Sequence, residues 1–443
     1  MSDLAAMTRA LRSTDPYRHF GSVVAVRGAL IEVDGFLSAG RIGSHVVIES
    51  EHGSVDAEIT ALNRGTASCL PFSEPKGLAA GTRVELVSRE LSLRPTHGWL
   101  GRVVDGLGRP IDGKGPLPRG PHICPIKGEP PAAASRLRVG DKLTTGVKAL
   151  DIFAPLCRGQ RLGLFAGSGI GKSTLLSMLA RWSECDVTIV GLIGERGREV
   201  QEFIEDDLGA EGLARSIVVV ATSDAPALLR RQAAWTTLAL AEHFRDAGAQ
   251  VMCMMDSVTR FAMAQREIGL ANGEPPASKG YTPTVFAELP RLLERAGPGG
   301  PQGGSITGLF TVLVDGDDHN EPIADAVRGI LDGHVVMTRT IAERGRYPAI
   351  DVLKSVSRTL PGCHSAEQNE LRQQAAQILS TYGDVEELVR LGAYKTGANA
   401  DIDKAIQLAP EIERILGQTP QDKACPATAF SELAALFAGD AEE

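Results

Sequence analysis

Eight residues, Gly167-Ser168-Gly169-Ile170-Gly171-Lys172-Ser173-Thr174, follow directly on the apolar run Leu162-Gly163-Leu164-Phe165-Ala166. A buried-type strand running into three glycines and a lysine, with two hydroxyls directly behind the lysine, admits few folds. The glycines let successive backbone N–H groups turn into one concavity. Such a nest binds a di- or triphosphate, with Lys172 as counter-charge and the first hydroxyl, Ser173, placed for a magnesium ion. The helical run Leu175-Leu176-Ser177-Met178-Leu179-Ala180 completes strand, loop and helix. One position departs from the strict pattern: Ala166 stands where glycine is usual. Nucleotide binding follows from these residues. The use made of it does not.

A chain of 443 residues predicts two or three domains. Its 43% hydrophobic and 23% charged residues are ordinary globular proportions. The net charge of −9 argues against a dominant nucleic-acid surface, which needs clustered excess Lys and Arg, although a local basic groove can sit on an acidic protein. Seven scattered cysteines without a C-x-x-C pair fit neither a disulfide framework nor a metal cluster, and predict a reduced, cytoplasmic setting. The first residues, Met1 to Arg12, lack a long apolar core and carry Asp3, unlike a secretory signal. No apolar stretch is long enough to span a bilayer, so a soluble protein is expected, free to dock on a membrane complex.

Texture along the chain divides it into four parts. Residues 1–18, with Leu4, Met7 and Leu11 at helical spacing, read as an amphipathic partner-binding helix, or equally as a frayed terminus. From 19 to 93, short runs such as Val23-Val24-Ala25-Val26 and Val46-Val47-Ile48-Glu49, split by turn residues, predict a small β-barrel. Residues 94–361 form a nucleotide-binding domain, entered across the Pro/Gly-rich stretch Gly106–Pro131. Its apolar runs Val187–Ile193, Ile217–Ala221 and Val251–Met255 alternate with helical segments and predict a parallel sheet covered on both faces. Residues 362–443, with Leu371, Ala375, Ile378 and Leu379, then Ile406, Ile412 and Leu416, predict a helical domain with an acidic tail. The segment 297–304 is glycine-rich.

Hydrolysis needs a magnesium ion, a group that orients water, and positive charge for the transition state. Asp256, at the end of Val251–Met255, is the strand-end acid expected to join Ser173 at the metal. The strand Val187–Ile193 runs into Gly194-Glu195-Arg196-Gly197-Arg198-Glu199, and the C-terminal ends of parallel strands are where ligands bind. Glu195 is the candidate to polarise water, and Arg196 to touch the terminal phosphate. Glu199 is explained by the start of the next helix, whose dipole favours an acid.

Gly194-Glu195-Arg196-Gly197-Arg198-Glu199-Val200, the segment Met255–Ala262, the segment Pro290–Gly297 and the segment Arg346–Arg358 resemble the ring-forming ATPases related to rotary ATP synthase catalytic subunits. The match extends from the β-barrel through the P-loop (RecA-like) α/β core to the C-terminal helical domain. The resemblance implies six-membered rings with nucleotide at subunit interfaces. It implies that Glu195 is the catalytic glutamate, where non-catalytic subunits carry glutamine. By the same resemblance Arg358 is an arginine finger for the neighbouring site, Tyr347 packs on adenine, and Arg260 is a second basic residue near the terminal phosphate. ATP and Mg2+ are the implied cofactor set, with Lys172, Glu195, Arg196 and Arg358 catalytic. Without the resemblance, Arg358, Tyr347 and Arg260 read as a solvated arginine, a core tyrosine and a helix-surface arginine.

Ala166 selects a branch of this family. Phe165-Ala166-Gly167-Ser168-Gly169-Ile170-Gly171-Lys172-Ser173 and the segments Phe261–Ile268, Lys279–Pro283 and Tyr382–Tyr394 resemble the flagellar protein-export ATPases. The closely related ATPases of virulence-type type III secretion are the second choice. This resemblance implies a homohexamer, a stator-like regulatory protein at the N-terminal helix and a coiled-coil stalk protein at the C-terminal face. It further implies an export-gate membrane protein, and export substrates with their chaperones, at the cytoplasmic side of the inner membrane. The segment 297–304 would line the central channel or form a mobile hairpin. A hexameric RNA translocase is disfavoured, because residues 19–93 hold only Phe20, Phe36 and Phe72 as aromatic platforms. A non-catalytic ring partner conflicts with Glu195. No nucleic-acid partner is expected.

Overall fold

The computed structural model describes residues 17–36, 39–132, 134, 136–300, 303–314 and 321–439. The expected helix of residues 1–18, apart from its last two residues, and the end of the acidic tail (440–443) lie outside the described residues, as do residues 301–302 of the glycine-rich segment.

Short apolar runs divided by turns build the first unit. Strands β1 (His19–Arg27), β2 (Leu30–Asp34), β3 (His45–Ser50), β4 (Gly53–Leu62), β5 (Thr66–Pro71) and β6 (Arg83–Ser88) close into a barrel in the order β1-β2-β5-β4-β3-β6. Ile31 and Val33 point inward and are fully buried, as are Val46 and Ile48, and Ala57 and Ile59. The intervening residues face outward, as the two-residue period of a strand requires. Pairing of β1 with β6 removes the open edges that a flat sheet of this composition would leave. Each fully buried Ile or Val contributes roughly 1.5–3 kcal/mol.

The second unit is an α/β sheet. Its main strands are β7 (Arg102–Asp105), β8 (Arg161–Ala166), β9 (Val187–Ile193), β10 (Ser216–Ala221), β11 (Gln250–Asp256), β12 (Ser305–Leu313), β13 (Gly333–Met337) and β14 (Ile350–Ser357), in the spatial order β14-β13-β8-β12-β11-β9-β10-β7. Alternate residues feed two separate cores. Leu164, Val190 and Leu192 join one, while Phe165, Ile189 and Ile193 join the other. Both faces are therefore covered, which is why β9 and β10 read as continuous apolar runs. The runs Val187–Ile193, Ile217–Ala221 and Val251–Met255 lie in parallel neighbours as expected, and at one edge β14 adds an antiparallel partner to β13. At the opposite edge β7, lying before the Pro/Gly-rich stretch, runs parallel to β10. Four residues carry too little periodicity to announce a strand, and pairing with β10 decides it.

Helices α1 (Ala366–Arg390), α2 (Ala400–Leu416) and α3 (Pro426–Gly439) complete the chain. A capping box starts α1: the Ser365 side chain accepts from the Gln368 N–H, and the Gln368 side chain accepts from the Ser365 N–H. Ile378, Leu379, Ile412, Leu416 and Phe430 pack into the same core as the phosphate-loop strand. Among the described residues, no helix is long and apolar enough to cross a membrane.

Candidate active site

The phosphate loop leaves β8 at Ala166, which is buried and in register with Leu313. Its methyl group packs in the core beneath the loop, so the sheet accommodates a side chain where the strict pattern has glycine. Gly169 and Gly171 adopt φ of 77° and 86°, a region that side-chain-bearing residues avoid. Gly171 also precedes the helix Lys172–Trp182 without any side-chain cap, leaving the helix's first N–H groups to open on the cleft. The Tyr347 ring, 46% exposed, stands 3.5 Å from where a Cβ on Gly171 would lie. On the other side of the loop, Arg339 donates to the Ser168 carbonyl at 3.1 Å.

Three charged side chains converge beneath this loop. Lys172 Nζ lies 2.6 Å from Asp256 Oδ1 and 3.5 Å from Glu195 Oε1. Strand geometry brings the two acids together, because Asp256 ends β11 and Glu195 follows β9, its parallel neighbour. Thr311 of β12 donates to Asp256 Oδ1 at 2.7 Å and fixes that carboxylate. Glu195 Oε1 is buried and accepts no hydrogen bond among the described residues. Burial, reinforced by the Asp256 charge and opposed by Lys172, pushes the Glu195 carboxyl up to about 7. Burial alone would lower the Lys172 ammonium, but the charges of Asp256 and Glu195 outweigh it and hold the group above its ordinary value.

Lys172, Ser173, Thr174, Glu195, Arg196 and Arg260 all line one cleft of about 400 Å³. Arg260 packs so closely on Gly194 that a Cβ there would meet its Cβ and Cγ at 2.9 Å. The buried Nε of Arg260 has no acceptor among the described residues, and Arg260 lines the cleft. The Arg196 guanidinium, 81% exposed, pairs with Glu199 at 3.2 Å rather than joining the cluster at Lys172.

Arg358 is not in this cleft. It follows β14, which runs antiparallel to β13, and its N–H donates to the Asp332 carbonyl at the start of β13. Asp332 in turn bonds Arg161, the first residue of β8. The phosphate loop leaves the other end of β8, and a strand of this length spans roughly 20 Å. Arg358 therefore cannot serve its own chain's loop, and its side chain is exposed.

Thr311 and Arg339 were not anticipated from the sequence. A threonine within Ser305–Leu313 reads as ordinary strand composition. Arg339 is 171 residues from the carbonyl it bonds. No local signal marks either.

Residues 146–357 match the ATP synthase alpha/beta family nucleotide-binding domain, and residues 364–435 match the T3SS EscN ATPase C-terminal domain. The chain is 54% identical over 440 residues to a flagellum-specific ATP synthase of Caulobacter vibrioides, covering 98% of this chain and 99% of the relative. It is 47% identical to the flagellum-specific ATP synthase of Bacillus subtilis, with 96% of each chain covered. The solved structure of the assembled ATPase EscN with its central stalk EscO, from the type III secretion system of enteropathogenic E. coli, superposes with a TM-score of 0.86. It is 39% identical, covering 94% of this chain and 99% of that one. The chain belongs to the ATP synthase alpha/beta family, in its flagellar and type III secretion branch, and is an ATPase.

Proposed function

We propose that this chain hydrolyses ATP at sites shared between neighbouring copies in a homohexameric ring, and that hydrolysis serves flagellar protein export through a type III secretion apparatus. One observation carries the catalytic reading: a buried Glu195 oxygen that accepts no hydrogen bond among the described residues and is held only by the Lys172 charge at 3.5 Å, under a phosphate-binding nest, with Arg358 displaced to the far edge of the sheet. The backbone of Gly167–Thr174 and the Lys172 ammonium take the phosphates. Lys172 then exchanges Asp256 for phosphate oxygens. Glu195 accepts a hydrogen bond from the attacking water and removes its proton, a task suited to a carboxyl poised near neutral pH. Arg260 donates its free Nε–H to the terminal phosphate, Arg196 swings in from Glu199, and Tyr347 stacks on the base. Arg358 of one copy completes the site of the next, a contribution of about 10³-fold or more in comparable enzymes.

The donor set fits magnesium. Ser173 supplies a hydroxyl and Asp256 a strand-end carboxylate, and an ion that keeps most of its waters asks the protein for little more. Among the described residues no cluster of three His, Cys, Asp or Glu competes for that role. When bound, the ion supplies Lewis-acid charge to the phosphate oxygens.

The partner reading follows the same branch. EscN assembles and carries a central stalk, which favours a stalk protein on the C-terminal helical face here. A stator-like regulatory protein meets residues 1–18, and an export gate and chaperoned substrates meet the ring at the inner membrane. Deletion of the gene is expected to yield cells without flagella. Flagellated cells that lose virulence-type secretion would assign the chain to the second export system instead. Lys172→Ala is expected to abolish ATP turnover by the purified protein, and full turnover would remove the phosphate-loop reading.

A further inference from the structure

Gln160 is the residue immediately before the phosphate-loop strand β8, and it is completely buried. A buried amide is costly unless it is satisfied. Here every hydrogen-bonding position faces a partner. Nε2 donates to Ser357 Oγ at 2.8 Å and to the Asp332 carbonyl at 3.2 Å. Oε1 accepts from the Cys157 N–H at 2.9 Å and lies 3.4 Å from the Thr359 hydroxyl, which can donate to it. Three of these contacts are firm, while the single Thr359 proton is divided between Gln160 Oε1 and Ser357 Oγ, because the Ser357 proton goes to the Pro155 carbonyl. The main chain of Gln160 is fixed as well, its N–H on the Cys157 carbonyl and its carbonyl on the Gly308 N–H.

Two of the partners, Ser357 and Thr359, flank Arg358. A third, the Asp332 carbonyl, also accepts the Arg358 N–H at 3.0 Å. Ser357 Oγ bonds the Pro155 carbonyl and lies 2.9 Å from Thr359 Oγ1, closing the network around the turn. The residues on both sides of Arg358 are thus tied through their side chains, while Arg358 itself stays exposed. The ordering cost of the turn is met when the chain folds and not when a neighbour docks.

We propose that Gln160 is a positioning residue for Arg358, tying the turn that carries it to the root of the phosphate-loop strand. The inference rests on the reading of Arg358 as acting in the neighbouring copy's site. One amide then anchors both the strand that presents the loop to one nucleotide and the arginine sent to the next. A displacement of about 1 Å at a reacting group can cost on the order of 10²-fold in rate, so such an anchor bears on turnover more than on substrate affinity.

The test measures kcat and KM of the full-length, assembled ATPase for Gln160→Glu, Thr359→Val and Thr359→Ser, each in the wild-type and the Arg358→Ala background. Gln160→Glu removes both donors at constant shape, and Thr359→Val removes only a hydroxyl, which keeps the test available if the first variant fails to fold. In the wild-type background both are expected to lower kcat about 10-fold with KM within about twofold, and Thr359→Ser to restore the rate. In the Arg358→Ala background the same changes are expected to add less than about twofold, because the group they position is gone. Equal losses in the two backgrounds, or an unchanged kcat in Gln160→Glu and Thr359→Val, would overturn the positioning role. Arg358→Ala alone, if it left the assembly-dependent rate intact, would overturn the reading of Arg358 beneath it.

Discussion

Glu195 illustrates how surroundings set the ionisation of a single residue. Its carboxylate sits between a lysine that favours ionisation and a burial that opposes it, and the balance leaves it near pH 7. In the nucleotide-free enzyme kcat/KM is therefore expected to rise with pH through about 7 and level off above it. A profile flat from acid to alkaline pH would exclude Glu195 as the proton acceptor. The same shift acts on stability with the opposite sense. Folded Glu195 keeps its proton up to about 7, while the unfolded chain releases it near the ordinary glutamate value of 4.5. The folded state thus binds more protons across that window, and stability of the nucleotide-free protein falls as pH rises through it. Glu195→Gln should remove this part of the slope in denaturation curves, keep nucleotide binding, and lower turnover by about 10²-fold or more. Acid and base side by side at a strand end made Glu195 legible in the sequence. Thr311, which fixes Asp256, was not, because its role exists only when β11 and β12 lie together.

Elements were legible in proportion to their length and regularity. The barrel strands announce themselves by short apolar runs split by turn residues, and the long central strands by unbroken apolar runs. The short strand β7 and the antiparallel direction of β14 are decided by neighbours far away in sequence. Docking of the barrel on the α/β core shows the same dependence. Glu58 of β4 pairs with Arg231 at 2.6 Å, and both side chains are less than 10% exposed. Leu70, Phe72, Leu228 and Ile268 form an apolar cluster at this junction. Arg231→Ala would leave the Glu58 charge buried without its partner, at a cost of about 3–5 kcal/mol. Chemical denaturation should register the loss. A double replacement of the pair by apolar residues of similar volume should recover most of it, since an uncompensated charge is the source of the cost.

At the scale of the whole molecule, the decisive observation is a separation. Glu195 and Lys172 lie at one end of the central sheet and Arg358 at the other, which is the distance the proposed sharing of a site between neighbouring copies accounts for. Glu195→Gln and Arg358→Ala proteins should each be nearly inactive alone, yet mixing them should restore turnover. Interfaces that join Glu195 of one variant to Arg358 of the other are intact. Mixtures no more active than their components, under conditions where the copies assemble, would exclude sharing of the site. The activity of the wild type should likewise rise with protein concentration, as assembly brings each arginine to its neighbour.

By itself the sequence determined the chemistry the chain can perform. Gly167–Thr174, Glu195 and Asp256 are local patterns whose meaning depends on strand, loop and helix periodicity, and those interactions are short in sequence. Tertiary structure decided which groups meet. It set Lys172 between two acids, left one oxygen of Glu195 without a hydrogen bond among the described residues, and found room for the Ala166 methyl under the loop. It also carried Arg358 to the opposite end of β8 and bound its turn to Gln160. Sheet order and strand direction arise from contacts between residues far apart in the chain, and no window of sequence contains them.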